Sequence, residues 1–270
     1  MRVDFHVHSN ASEDSTETMA ASAEAAIAKG LGAICFTDHC DLFHSDQVGV
    51  YYEPGFAIWE RGYPYIEEAR ALWGDQIEIF RGMELSEIAQ DPVLAAEYAS
   101  APGIDFLLGS AHTVTGEIEF RFLEYPNLEM CHALVDRYFD ENILMAEADL
   151  ADVIAHIGYY NRYMAEQGMV ADLMEHEEKM RHLFDILIQN GRGIELNTSG
   201  MRQLLGAPFP TLPVLKVYKD CGGEIITVGT DAHRAEDVGS HIDEAYALLE
   251  AAGFRYTTIF RQRKPEFIKI

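Results

Sequence analysis

The stretch Val3-Asp4-Phe5-His6-Val7-His8-Ser9 alternates apolar and polar residues near the start of the chain. This period of two predicts a β-strand, in which successive side chains lie on opposite faces. His6 and His8 would then share one face of the strand and present two imidazole rings side by side. Such a pair is either half of a metal site or a solvent-facing or hydrogen-bonded pair, and the rest of the sequence decides between the two.

The same residue types end five other strand-like runs along the chain. Each run closes on histidine, aspartate or glutamate, all of which bind metal ions. The five runs are Cys35-Phe36-Thr37-Asp38-His39, Gly82-Met83-Glu84, Leu108-Gly109-Ser110-Ala111-His112, Val153-Ile154-Ala155-His156 and Val228-Gly229-Thr230-Asp231-Ala232-His233. Because six strand ends repeat this pattern, we interpret the histidine pair as part of a metal site.

Strand-like and helix-like patterns alternate through the sequence. After the first stretch, the predicted strands cover residues 32–37, 77–85, 105–109, 152–156, 193–197 and 223–229. The predicted helices cover residues 17–30, 66–73, 92–100, 128–147, 173–189, 212–220 and 238–252. Seven strand and helix units with ligand-type residues at nearly every strand end predict an α/β barrel, which places its site at the carboxyl ends of its strands. A doubly wound open sheet would gather its site at one switch point.

We expect one domain over residues 1–270, because no internal repeat, low-complexity tract or linker interrupts this alternation. Residues 40–75, between the second and third strands, form an insertion that is rich in aromatic residues. These aromatic residues are Tyr51, Tyr52, Phe56, Trp59, Tyr63 and Tyr65. The insertion is either a satellite hydrophobic core or a substrate lid, and we favour the core.

The composition excludes several classes of protein. The 270 residues carry a formal net charge of −25, which opposes binding to the phosphate backbone of nucleic acids. We expect no membrane span, because the sequence contains no apolar run of about 18 residues. The four cysteines show no Cys-x-x-Cys spacing and the first residues resemble no leader peptide, so we expect a cytoplasmic protein. No pattern in the sequence indicates an oligomeric state.

Six histidines and three acidic residues make nine candidate metal ligands. They are His6, His8, Asp14, His39, Glu84, His112, His156, Asp231 and His233. Imidazole and carboxylate ligands suit Zn²⁺, Mn²⁺ or Fe²⁺, and the lack of cysteine ligands argues against a closed structural zinc site. Nine ligands are too many for one ion. We therefore predict two to three divalent transition-metal ions with shared ligands and with positions open for water and substrate.

The ordered set of motifs resembles the polymerase and histidinol phosphatase (PHP) superfamily, and within it the histidinol-phosphate phosphatases. The matching motifs are His6-x-His8, Thr37-Asp38-His39, Gly82-Met83-Glu84, Gly109-Ser110-x-His112, His156, Glu195-Leu196-Asn197-Thr198-Ser199-Gly200 and Gly229-Thr230-Asp231-Ala232-His233. This resemblance implies a distorted (β/α)7 barrel with a trinuclear metal centre at the C-terminal ends of its strands. It also implies a phosphomonoesterase that hydrolyses L-histidinol phosphate in histidine biosynthesis.

The resemblance further assigns the nine ligands to three ions. The three sets are His6, His8, Glu84 and Asp231; Glu84, His112 and His156; and Asp14, His39 and His233. Glu84 would therefore bridge two ions, and Glu13 in the same loop is an alternative to Asp14. We expect Glu84 and Asp231 to be the catalytic residues, with Asp231 able to accept a proton from the attacking water.

The non-bridging oxygens of a phosphate group need hydrogen-bond donors, and the planar guanidinium of arginine supplies two parallel ones. Arg162 follows His156 in the loop after the fifth strand, and Arg202 lies in the loop after the sixth. In the phosphatases that the chain resembles, arginines at matching places hold the phosphate. We therefore predict that both bind the phosphate of a small-molecule phosphomonoester. Tyr160 and Tyr163 flank Arg162 and either stack on a planar ring of the substrate or pack in the core.

The sequence leaves three alternatives to this function. The enzyme could act on another small phosphomonoester. It could be an amidohydrolase, a class that shares the barrel and His-x-His but commonly bridges its metals with a carboxylated lysine and ends on a lone aspartate. It could also be a non-catalytic metal-binding module, although such modules can lose ligands and all nine candidates are present here.

Overall fold

The predicted strands form a ring, and three further strands accompany it. A computed structural model describes residues 1–43 and 55–270. The strands in these residues are β1 Val3–Val7, β2 Ala33–Phe36, β3 His39–Asp41, β4 Glu78–Ser86, β5 Phe106–Ser110, β6 Val153–Ile154, β7 Gly193–Asn197, β8 Ile226–Gly229, β9 Tyr256–Arg261 and β10 Lys264–Lys269. Each of the seven predicted strands is found, and β3, β9 and β10 are absent from the prediction.

Helices follow the strands in the predicted order. They are α1 Met19–Ala28, α2 Gly55–Trp73, α3 Pro92–Ala99, α4 Leu128–Ala148, α5 Asn161–Glu166, α6 Glu177–Gln189, α7 Leu212–Asp220 and α8 Ile242–Ala252. Side-chain caps define three of the starts, since Thr18 accepts a hydrogen bond from the Ala21 N–H, Asp91 from the Leu94 N–H and Asn127 from the Met130 N–H. The short helix α5 is not predicted from the sequence. Among the described helices, none is long and apolar enough to cross a membrane.

Parallel pairing links the ring in the order β1, β2, β4, β5, β6, β7 and β8, with β3 beside the carboxyl half of β4. The ring nearly closes where the chain leaves β8. There, the His8 N–H donates to the Ala232 carbonyl oxygen at 2.9 Å, and the Asp231 N–H donates to the His6 carbonyl oxygen at 2.8 Å. The predicted (β/α)7 barrel is thereby confirmed. Its closure brings the first and last motifs of the chain together.

A small hydrophobic cluster fills the interior of the ring. Its members are Val3, Phe5, Ala33, Cys35, Phe80, Phe106, Leu108, Val153, Ala155, Ile259 and Phe260. These residues come from five strands of the ring and from β9, and the only surface that the five strands share is the inside of the ring. The β9 and β10 hairpin therefore covers the amino-terminal end of the ring. The Phe260 ring, from β9, lies 5.1 Å from the Phe106 ring. The carboxyl ends of the strands are thus left for the functional side chains.

Strand β1 departs from the strict alternation that its sequence predicts. Val3 and Phe5 belong to the interior cluster, whereas Val7 belongs to the larger core that includes the helices. The pairing of β1 with β2 shifts register between Asp4 and Val7, which accounts for the change of face. Val7 therefore packs with the larger core and does not join Val3 and Phe5 inside the ring.

Helix α2 contains much of the predicted aromatic insertion and begins before residue 66, where the sequence places its start. It packs against α1, and its residues Trp59, Ile66 and Ala69 are buried in the larger core. This part of the insertion therefore extends the main core of the protein. Residues 44–54, which include Tyr51 and Tyr52, lie outside the described residues.

Candidate metal centre

Imidazole rings converge at the carboxyl end of the ring of strands. The His8 and His233 rings stack with centroids 4.2 Å apart, and the His39 ring lies 4.2 Å from His8. The His6 ring lies 5.7 Å from the His156 ring across the barrel. The structure brings all nine predicted ligands into this one cluster.

Glu84 lies at the centre of the cluster and is 1% exposed. Its Oε1 atom lies 3.0 Å from His156 Nε2 and 3.3 Å from His112 Nε2. Its Oε2 atom lies 2.9 Å from His39 Nδ1 and 3.5 Å from His8 Nε2. One buried carboxylate thus contacts imidazoles through both of its oxygens, which is the arrangement expected of a bridging ligand.

Asp231 lies in a turn after β8 with a φ of +54°, a left-handed conformation that aspartate adopts more readily than most residues. Strand β1 holds this turn, since Asp4 accepts hydrogen bonds from the Thr230 N–H at 3.0 Å and the Thr230 hydroxyl at 2.6 Å. Asp231 Oδ1 consequently lies 3.2 Å from His8 Nε2 and 3.7 Å from His6 Nε2. These three residues form one compact group of candidate ligands.

Asp14, His39 and His233 form the most exposed part of the cluster. Asp14 Oδ2 lies 2.9 Å from His233 Nε2 and 3.2 Å from His39 Nε2. The sequence leaves Glu13 as an alternative to Asp14, and these contacts favour Asp14. Its side chain is 48% exposed, compared with 0% for His6. Solvent therefore reaches this group more readily than the rest of the cluster.

Asp38 supports the loop that carries Asp14. It accepts hydrogen bonds from the Ser9 N–H at 2.7 Å, the Ser9 hydroxyl at 2.8 Å and the Ser12 hydroxyl at 2.9 Å. The Ser12 hydroxyl in turn accepts a hydrogen bond from the His39 N–H at 3.1 Å. The Thr37-Asp38-His39 motif therefore contains both a candidate ligand and the residue that fixes the neighbouring loop.

The electrostatics of the cluster favour ionised carboxylates. Burial raises the pKa of Glu84, but the imidazoles of His6 and His39 outweigh burial and hold this pKa well below its ordinary value. Burial likewise raises the pKa of Asp231, and His6 and His8 again outweigh it, so that this pKa is also well below normal. Burial and neighbouring imidazoles lower the pKa of His8 to about 4. A neutral His8 offers the lone pair that a metal ligand requires.

The spacing of these atoms fits a group of divalent cations. Nitrogen and oxygen ligands about 2.0–2.2 Å from one ion lie roughly 3–3.5 Å from one another. His6 Nε2 and His8 Nε2 are 3.1 Å apart. Glu84 Oε2 and His39 Nδ1 lie 2.9 Å apart, but not in the geometry of a hydrogen bond. Both atoms are buried, and neither makes a hydrogen bond with the described part of the chain. Bound cations would satisfy such atoms, so the residues fit the metals that the family resemblance implies.

Three acidic residues beside the cluster are not among the predicted ligands. Asp41 Oδ1 lies 3.6 Å from His112 Nδ1, and Glu87 Oε1 accepts a hydrogen bond from the His112 N–H at 2.8 Å. Burial raises the pKa of Glu87 to about 8. Glu195 Oε1 lies 2.8 Å from His6 Nδ1. Asp41 belongs to a three-residue strand that is too short to show a period, and Glu195 is visible in the sequence only as part of a motif.

A cavity of about 450 Å³ adjoins the cluster, and Asp231 and Arg162 both line it. The Arg162 guanidinium carbon lies 5.2 Å from the ring centres of both Tyr159 and Tyr163, which also line the cavity. Tyr160 is fully buried in the larger core. Of the two tyrosines that flank Arg162 in sequence, Tyr163 therefore lies at the cavity and Tyr160 packs in the core.

Arg202 lies behind the turn that carries Asp231. Its guanidinium donates to the carbonyl oxygens of Thr230 at 2.9 Å and Asp231 at 3.3 Å, and its Nε atom lies 3.4 Å from Asp237 Oδ1. Within residues 1–43 and 55–270, the cavity lining includes Arg121 but not Arg202. The observed contacts of Arg202 support the turn, and its direct contact with phosphate stays a prediction.

The sequence of the chain matches a known protein family. Residues 4–199 match the model of the PHP domain. The chain belongs to the PHP domain family. The matched residues include seven of the nine candidate ligands, and the other two, Asp231 and His233, reach the PHP cluster through the near-closure of the ring.

Relatives of this PHP chain carry one recurring name. This chain is 26% identical to the histidinol-phosphatase of Lactococcus lactis subsp. lactis over 97% of its own length and 96% of that protein. It is 24% identical to a probable histidinol-phosphatase of Thermotoga maritima over 95% of each protein. The crystal structure of the Lactococcus lactis histidinol phosphate phosphatase in complex with zinc, L-histidinol and phosphate has a TM-score of 0.75 to this chain, with 25% identity and 98% of both chains covered.

Proposed function

We propose that this PHP protein is a metal-dependent phosphomonoesterase that hydrolyses L-histidinol phosphate to L-histidinol and phosphate in histidine biosynthesis. The observation that carries the proposal is the convergence of nine ligand-type residues beside a cavity that Arg162 lines. Relatives of nearly equal extent are named histidinol-phosphatases, and one of them binds zinc, L-histidinol and phosphate in its crystal structure.

We assign two to three divalent ions of zinc, manganese or iron to the cluster. The proposed sets are His6, His8, Glu84 and Asp231; Glu84, His112 and His156; and Asp14, His39 and His233. When bound, such ions lower the pKa of a water ligand toward about 7 and stabilise negative charge on the entering and leaving oxygens. The distances from Glu84 to imidazoles on both of its sides support its place as the shared ligand.

Residues of the chain orient the phosphate and receive the proton. Arg162 lines the cavity beside two tyrosine rings, and its fork can donate two hydrogen bonds to non-bridging phosphate oxygens. Asp231 lines the same cavity, and its low pKa keeps the carboxylate ionised near neutral pH. An ionised Asp231 can accept a proton from the water that attacks phosphorus.

The cavity also contains acidic side chains outside the proposed ligand sets. Glu13 and Asp41 both line it, whereas Glu119 pairs with Arg121, which also lines the cavity. Carboxylates in a cleft attract a cationic substrate. This lining supports a substrate whose amine is protonated, as that of histidinol phosphate is, over a phosphomonoester without an amine.

We expect L-histidinol phosphate to be hydrolysed with at least about tenfold higher kcat/KM than phosphoethanolamine, glycerol phosphate or p-nitrophenyl phosphate, a difference of about 1.4 kcal/mol. Polar groups that pair with the imidazole end are left unpaired by an analogue that lacks the ring, and this discrimination can reach about 10⁴-fold. The measurement is phosphate release at matched metal loading. Equal kcat/KM values would indicate that the natural substrate is another small phosphomonoester.

We expect Arg162→Ala and Arg202→Ala each to lower kcat/KM by about 10- to 100-fold, because each removes a charged hydrogen bond of about 1.5–3 kcal/mol. Metal content should not change in Arg162→Ala. Lysine at either position should restore activity only in part, because it supplies a point charge without the fork. Arg181→Ala is the control, since Arg181 pairs with Glu177 on the surface of α6. Wild-type kinetics in both variants would show that neither arginine binds the phosphate.

A further inference from the structure

Glu195 is a buried carboxylate that contacts two of the proposed metal ligands and belongs to none of the proposed ligand sets. It lies on β7 and is 1% exposed. Its Oε1 atom lies 2.8 Å from His6 Nδ1. Its Oε2 atom accepts hydrogen bonds from the backbone N–H of His156 at 2.9 Å and from the side chain of Asn197 at 3.1 Å. One side chain therefore joins the ends of β1 and β6 from inside the barrel.

The contact with His6 determines which ring nitrogen carries the proton. Carboxylate oxygens accept hydrogen bonds, so the His6 Nδ1 atom, which lies 2.8 Å from Glu195 Oε1, is the donor. The amide nitrogen of Asn197 is farther from this atom, at 3.4 Å, and donates to Glu195 Oε2. In neutral His6, the lone pair then lies on Nε2, the atom that is 3.1 Å from His8 Nε2 and 3.6 Å from Glu84 Oε2. The other tautomer would turn an N–H group toward the centre of the cluster and could not bind a cation there.

The contact with His156 fixes a backbone conformation. His156 has a φ of +24°, a backbone conformation that residues other than glycine rarely adopt. Its N–H group is held by Glu195, and its Nε2 atom lies 3.0 Å from Glu84. The carboxylate therefore stabilises the strained residue that carries a proposed ligand of the second ion.

Gly229 provides independent support, because it leaves the space in which Glu195 and His6 meet. A Cβ atom at Gly229 would overlap both the Glu195 Oε1 atom and the Cβ atom of His6. The φ of Gly229 is not positive, so the backbone conformation does not require a glycine here. The close contact between Glu195 and His6 does require it.

We propose that Glu195 is the positioning residue that sets the Nδ1-protonated tautomer of His6 and the backbone of His156 for metal binding. The inference rests on the proposed metal centre and goes beyond the ligand sets assigned to it. A carboxylate that accepts a hydrogen bond from a metal-bound histidine commonly contributes 10- to 100-fold to metal affinity.

The test is zinc affinity of the Glu195→Gln variant, measured by competition with a chromophoric chelator. An amide can place one oxygen and one NH₂ group here, so it cannot accept hydrogen bonds from both His6 and His156. We expect affinity to fall by about 10- to 100-fold. Glu141→Gln is the matched control, because Glu141 is 8% exposed and accepts a hydrogen bond from the Thr115 N–H outside the cluster. Its zinc affinity should equal that of the wild-type protein.

Wild-type zinc affinity in a folded Glu195→Gln variant would overturn the inference. If the variant fails to fold, long-range ¹H–¹⁵N spectra of the zinc-loaded wild-type protein decide, with His6 assigned from a His6→Asn spectrum. We expect the proton on Nδ1 of His6, and a deprotonated Nδ1 would overturn the proposal. Failure of the wild-type protein to release phosphate from L-histidinol phosphate would contradict the proposed function alone, since neither zinc affinity nor the tautomer depends on the substrate.

Discussion

We expect the Glu84→Gln variant to lose at least about 10³-fold in kcat/KM for L-histidinol phosphate and to bind fewer metal ions than the wild-type protein. Glu84 reaches imidazoles through both oxygens, at 2.9 Å from His39 and 3.0 Å from His156. Glutamine keeps the size of the side chain, but it removes the charge and replaces one ligand oxygen with an NH₂ group. Losing even part of the several kcal/mol that metal ions contribute to catalysis is sufficient for this effect, since about 4 kcal/mol corresponds to 10³-fold.

The measurement for Glu84→Gln combines elemental analysis with kinetics on the same preparation. Glu141→Gln serves again as the control for the chemical change at a buried glutamate, and we expect it to retain metal and activity. A melting curve distinguishes loss of the fold from loss of the metals. Near-normal turnover of Glu84→Gln at full metal content would show that Glu84 does not bridge the ions.

We expect Asp231→Asn to fold and to retain at most about 1% of wild-type kcat/KM, because losing a metal ligand or a general base commonly costs 10²-fold or more. Asp231 Oδ1 lies 3.2 Å from His8 Nε2, and the carboxylate lines the substrate cavity. Asparagine retains the shape and tolerates the positive φ, but it cannot accept a proton from water.

Asp149→Asn is a closely matched control for Asp231→Asn. Asp149 also has a φ of +54°, but it caps α4 at the surface and pairs with Arg192. The kinetics should be measured at saturating zinc, so that weaker metal binding and a lost proton acceptor can be separated. Near-normal turnover of Asp231→Asn would place Asp231 outside the catalytic machinery and leave it a role only in the turn after β8.

The barrel and the convergence of the nine residues could be predicted because both depend on local pattern. Parallel strands end at one edge of a ring, so residues that follow separate strands in sequence must meet in space. His8 and Asp231 illustrate this rule, since they follow β1 and β8 and lie 3.2 Å apart. No knowledge of side-chain packing is needed for such a prediction.

Features that depend on tertiary contacts could not be predicted. The β9 and β10 hairpin turns through Gln262 and Arg263, both with positive φ, without the asparagine or glycine that normally signals such a turn. The interaction of Glu195 with His6 joins residues that are 189 positions apart in the sequence. The place of Arg202 behind the Asp231 turn depends on hydrogen bonds to backbone carbonyls, which residue type alone does not reveal.

The structure also bears on the amidohydrolase alternative. That class commonly places a carboxylated lysine between its metals, and here the central position is taken by Glu84. The last motif supplies both Asp231 and His233 to the cluster, where an amidohydrolase would supply an aspartate alone. Both observations favour the phosphatase.

We expect phosphate release to depend on two to three metal ions held by this cluster. The most direct test is to titrate chelator-stripped protein with zinc and to follow phosphate release from L-histidinol phosphate, with bound metal determined in each sample. We predict no turnover above background without metal and a plateau at two to three bound ions per chain. Full activity in protein that contains less than one ion per chain would contradict this metal dependence.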